Sequence, residues 1–125
     1  MPELNMDCVR DMMLYLETHQ TFTSRGRVNL IKMKHVYPSL EKHTREDCYQ
    51  SAHYIFHSRL VTSSVDCNRV SPKFYVFAGF TQEGYQFLKA VHDDTIWAKI
   101  KSRLSSGGST AVSAIIEAGV SLLLG

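Results

Sequence analysis

His53 and His57 stand four residues apart. On a helix that spacing puts two imidazoles on one side, where they can hold a zinc ion. Such a site needs two further ligands, and Cys48, Cys67 and His43 are the residues on offer. No Cys-x-x-Cys or His-Glu-x-x-His accompanies them, and Cys48 falls on the apolar side of the same helix. Ordinary surface histidines are the simpler reading, and no metal is expected. The same histidines belong to a polar face, Gln50, His53, Tyr54 and His57, that offers donors and acceptors to base edges. Arg45, Arg59, Arg69 and Lys73 are the cations that would meet phosphates of double-stranded DNA. Glu46 opposes that reading, and the face has no Arg or Lys at its centre. A solvated helix face used for protein contacts stands equal to it.

Catalytic chemistry is harder to find. Asp93 and Asp94 are adjacent, so on a helix they point about 100° apart and cannot act as a facing carboxylate pair. Capping accounts for at least one of them. No Gly-x-Ser-x-Gly, P-loop or dinucleotide fingerprint is present, and Gly107-Gly108 reads as a hinge. Cys8, Cys48 and Cys67 lack an evident activating partner. The chain reads as a non-enzyme with no cofactor.

Composition sets the bounds. The 125 residues suit one domain with one core, and a 44% hydrophobic share beside 21% charged residues argues against wholesale disorder. A formal charge of +2 permits nucleic-acid binding without arguing for it. Three cysteines without paired spacing fit free thiols in a reducing cytoplasm. The most apolar segment, residues 111–124, is too short for a membrane span and carries Glu117, so no membrane partner is expected.

The elements that must position these residues follow from periodicity. A first helix runs from about Asn5 or Asp7 to His19, with Val9, Met12, Met13 and Leu16 on one face. Residues 20–27 form a loop, residues 28–33 a short strand, and residues 35–43 stay ambiguous around Pro38. Thr44 caps the next helix, whose core positions are Cys48, Ala52, Ile55, Phe56 and Leu60. Residues 61–80 read as a hairpin with strands at 61–65 and 73–80. In the second strand Phe74, Val76, Ala78 and Phe80 share one face, and Tyr75 and Phe77 the other. Exposed Tyr54 and Tyr75 favour contact with a protein partner. Thr81 caps a helix striped by Tyr85, Leu88 and Val91 with Phe87 alongside, and Phe80 staples onto Tyr85. Asp93 or Asp94 restarts the helix, and Ile96, Ile100 and Leu104 share a face with Trp97 beside them. After a break at 105–109, Thr110 caps a last helix. Val112, Ile115, Ile116, Val120 and Leu123 of that helix either close the core or form a homodimer interface.

This order, helix, short strand, one or two helices, β-hairpin, is that of an α+β fold with a winged-helix-like core. Residues 1–125 make one domain, with the core in 1–78 and additional C-terminal helices in 79–125. Thr81-Gln82-Glu83-Gly84-Tyr85-Gln86-Phe87-Leu88, followed by Asp93-Asp94-Thr95-Ile96-Trp97, resembles the signature of the domain-of-unknown-function family 2513. That signature reads Leu-Thr-x-Glu/Asp-Gly-His-x-Phe-Leu, then Asp-Asp-Thr-Val/Ile-Trp. Phe80 here replaces the usual Leu, and Tyr85 the usual His. Met6-Asp7-Cys8-Val9-Arg10 is similar to the family's N-terminal helix, and Ala52-His53-Tyr54 stands in its middle helix. The final helix departs from the more Lys-rich endings expected. The resemblance implies a winged-helix-like fold and a phage or prophage origin, hence a bacterial cytoplasm, and no activity. The expectation is a regulatory DNA-binding module; the alternative is a phage factor that binds and modulates a host protein.

Overall fold

Short polar residues start four of the helices. A computed structural model describes residues 4–107 and 111–124, so Gly108 and Thr110 of the expected break and cap lie outside the described residues. The helices are α1 (Met6–His19), α2 (Met33–Val36), α3 (Arg45–His57), α4 (Gln82–Val91), α5 (Asp94–Ser105) and α6 (Val112–Leu124). The strands are β1 (Ile31–Lys32), β2 (Val61–Ser63) and β3 (Val76–Phe80). Asn5, Thr44, Thr81 and Asp93 each accept, at 3.0–3.1 Å, a backbone N–H of the first turn that has no partner within its helix. Such a cap contributes about 1 kcal/mol. The chain is a mixed α+β fold, with its buried apolar side chains in one cluster from Met6 to Ile115.

The sheet is antiparallel in the order β1-β3-β2. Helix, strand, helices and hairpin in this order are compatible with a winged helix. The strands are shorter than the sequence suggests, for local reasons. Only Ile31 and Lys32 of the expected first strand pair with β3, because Met33 turns inward as the start of α2 and is fully buried. Pro38 then sits in a 3-10 turn, Tyr37–Ser39. Pro72 nucleates a second such turn, Pro72–Phe74, in which Phe74 and Tyr75 donate to Ser71 and Pro72 carbonyls. Lys73 and Phe74 are therefore outside the ladder, and β3 starts at Val76. The buried side of this segment is Tyr75, Phe77 and Gly79, while Phe74 is 59% exposed.

The end of α3 meets the start of α4 at a tight corner. Arg59 adopts φ +60°, and the Arg59 and Leu60 N–H groups donate back to Phe56 and Ile55 at 3.3 and 3.2 Å. This is a helix stop usually built on glycine. Thr81 then donates its hydroxyl to the Arg59 carbonyl at 2.6 Å, and its N–H to that of Leu60 at 3.1 Å. A Cβ at Gly84 would stand 2.0 Å from the Leu60 carbonyl oxygen, so only glycine fits there. Phe80 and Tyr85 do staple, their ring centroids 5.4 Å apart. Tyr85 stays 51% exposed, however, so the buried stripe of α4 is Gly84, Phe87, Leu88, Ala90 and Val91.

Helix α1 ties the C-terminal helices to the rest. Arg10 donates to the Val91 and His92 carbonyls at 2.6 and 3.0 Å, satisfying the end of α4, and to Asp94 at 2.6 Å. Asp7 accepts from the Trp97 indole N–H at 2.8 Å and from Lys101 at 3.2 Å. Burial alone would raise the Asp7 carboxyl, but Trp97 and Lys101 outweigh it and hold it below its ordinary 3.8. A carboxyl with a lowered folded value adds stability above the unfolded value and loses it as pH falls through the folded one. Asp7→Ala is expected to cost about 1–2 kcal/mol at pH 7, as the near-buried indole loses its acceptor. Urea unfolding at neutral and acid pH should show that cost narrowing as the pH falls; a cost independent of pH contradicts the charge component.

Candidate functional site

Helix α3 carries most of the polar residues in question. Its inward side is Cys48, Ser51, Ala52, Ile55 and Phe56, packed against α1. Glu46, His53 and His57 are exposed on the outer side, while Gln50 and Tyr54 are half-buried. Burial pushes the Tyr54 hydroxyl up to about 12. The His53 and His57 rings stack, with centroids 4.1 Å apart and planes at 24°. Among the described residues no group of three or more His, Cys, Asp or Glu is arranged to hold a metal ion. The buried Tyr75 hydroxyl donates to the Cys67 carbonyl at 3.3 Å and so accepts from His57 Nε2 at 3.0 Å. Tyr75 is 1% exposed, which overturns its expected role as a surface tyrosine: its position opposite Phe56 makes it core.

The four expected phosphate-binding cations do not form one stripe. Arg45 and Arg59 lie at opposite ends of α3, about 20 Å apart along its axis. Arg69 is held at 3.4 Å by Asp66 in the hairpin. Arg45 and Lys73 do come together, and Lys34 joins them in the lining of a cleft of about 420 Å³ between α2, the first turns of α3 and the Pro72–Phe74 turn. Lys32, Lys34 and Lys73 border a second hollow of about 200 Å³ beside Phe74. Lys32, Lys34, Arg45 and Lys73 have no ion pair or side-chain hydrogen bond among the described residues. Sequence reasoning missed Lys32 and Lys34. The signal for Lys32 was its position in β1, whose antiparallel pairing with Val76 brings it to the root of the hairpin.

The remaining candidates are architectural. Asp93 caps α5 at 3.0 Å, and Asp94 takes Arg10. Cys8 and Cys48 are buried with sulfurs 3.9 Å apart. Burial raises both thiols, that of Cys8 to about 12, the opposite of what a nucleophile needs. In α6, Ile115 is fully buried in the chain's own core and cannot belong to a surface for a second copy. Gly119 packs so closely that a Cβ there would stand 2.4 Å from that of Ala90. Val112 and Ile116 are half-buried, whereas Val120 and Leu123 are 45% and 46% exposed. No helix among the described residues is long and apolar enough to cross a membrane.

Burial, and then the neighbouring His57, lower the His53 pKa below its ordinary 6.5. His57→Gln is expected to raise it partway, since burial, the larger cause, remains. A ¹H NMR titration of the His53 ring reads this directly, and an unmoved midpoint would mean that the stack carries no electrostatic coupling.

A family model described as "Hypothetical protein (DUF2513)" matches residues 3–110. No curated protein and no solved structure matches the chain.

Proposed function

We propose that this chain, which belongs to the domain-of-unknown-function family 2513, is a small DNA-binding regulatory module without catalytic activity. One observation carries the reading: Lys32, Lys34, Arg45 and Lys73, cations without an ion pair among the described residues, converge where α2, the first turn of α3 and the root of the hairpin meet. In a helix-turn-helix read as a winged helix, that corner faces the phosphate backbone while the outer side of α3 enters the major groove. Gln50, His53 and His57 are then the base-edge candidates, with Tyr54 beside them. Arg59 and Arg69 are outlying backbone contacts. The phage or prophage setting, and a bacterial cytoplasm with it, rest on the sequence resemblance.

Fluorescence anisotropy with a 20-base-pair duplex tests this. Four phosphate contacts imply that affinity falls about 100-fold between 50 and 200 mM salt. Lys34→Gln, Arg45→Gln and Lys73→Gln together should reduce the salt slope by about 3. No duplex binding, or binding indifferent to salt, counts against the reading.

A second reading rests on the exposed apolar residues Val120, Leu123 and Leu124 of α6, the last 85% exposed. They suit a second copy or a host protein. Sedimentation velocity at high protein concentration separates these. A dimer abolished by Val120→Ser with Leu123→Ser identifies self-association, and a monomer at every concentration excludes it.

A further inference from the structure

We infer that the cleft between α2 and the first turns of α3 is a binding site for a phosphomonoester, its phosphoryl group held by Lys34, Arg45 and Lys73. The inference deepens the nucleic-acid reading and rests on it for what carries the phosphate. Three features distinguish this cleft from a flat patch for backbone contacts. It is concave, and its volume of about 420 Å³ lies in the range of small-molecule pockets, about 300–1,000 Å³. Its charge is matched to a dianion: three cations and one carboxylate, Glu41, line it, and a phosphomonoester carries about −1.5 to −2 at pH 7. A phosphodiester inside a strand carries only one negative charge and is flanked by chain on both sides. The walls are also fixed in advance. Tyr37 donates its hydroxyl to the Pro72 carbonyl at 2.6 Å and meets Tyr49 edge-on, with ring centroids 5.0 Å apart. Asp11 holds the imidazole of His43 at 2.7 Å. The Tyr49 hydroxyl has no partner among the described residues and remains for the ligand. Two tyrosine rings beside a phosphate cradle suit a nucleoside attached to that phosphate.

The phosphomonoester has two sources, the 5′ end of a nucleic acid or a free nucleotide. Calorimetric titration with thymidine 5′-monophosphate, and anisotropy with paired oligonucleotides of one sequence bearing a 5′-phosphate or a 5′-hydroxyl, tell them apart. A 5′-phosphate advantage of about tenfold, lost in Arg45→Gln and in Lys73→Gln, supports the site and identifies a strand end. Both positions are exposed, and unchanged circular dichroism checks that the variants fold. Mononucleotide binding lost in the same variants, with no preference between the oligonucleotides, supports the site and identifies a free nucleotide. Equal affinity for both oligonucleotides with no mononucleotide binding overturns the inference and leaves salt-dependent duplex binding intact. Mononucleotide binding without duplex affinity supports the cleft while removing the DNA reading.

Discussion

The Leu60 carbonyl presses into the first turn of α4 where any residue but glycine would place a carbon atom. The relation between the two halves of the molecule depends on that contact. Thr81 secures it from both sides: its hydroxyl caps α4 and, in the same geometry, donates to Arg59. The corner holds Arg59 in left-handed backbone, a conformation costing a non-glycine residue roughly 1–2 kcal/mol. Thr81 and Gly84 of one short motif, meeting Arg59 and Leu60, thus set the angle between α3, which carries the candidate site, and the helices that close the core.

The family signature acquires a physical meaning in this frame. Its Thr and Gly belong to the α3–α4 corner, and its paired aspartates divide labour between capping α5 and receiving Arg10. Its Trp donates to Asp7, so the signature and the N-terminal stretch beginning Met6-Asp7 meet in space. These are constraints on assembly, and they leave the chemistry to other residues. The cations at the root of the hairpin come from four separate elements and owe their proximity to the sheet order.

Features decided within a few residues were legible in the sequence. Thr44, Thr81 and Asp93 each cap the helix expected of them, because a cap needs only its own first turn. The core positions of α1 and α3 follow from spacing alone. Features decided by pairing between distant segments were not legible. Tyr75 alternates with Phe74 in the sequence, and nothing local says which of them faces inward. That choice follows from the Pro72 turn and from the partner that the buried hydroxyl finds in His57. Lys32 and Lys34 sat in segments of weak periodicity, and their meeting with Lys73 depends on β1 pairing with β3. Ile115 and Val120 lie on one apolar helix, and the close fit of Gly119 on Ala90 decides which of them is buried.

The bond from Trp97 to Asp7 joins residues 90 positions apart. A ribosome releases α1 first, so its Asp7 and Arg10 wait in solvent until the helices that satisfy them have been made. The α1–α3 layer can form earlier, since Cys8 and Cys48 are separated by 40 residues. The contact of α1 with α3 therefore closes a shorter loop, at a smaller entropic cost, than its contact with α5. A chain that stops short of Trp97 lacks the clasp on Asp7.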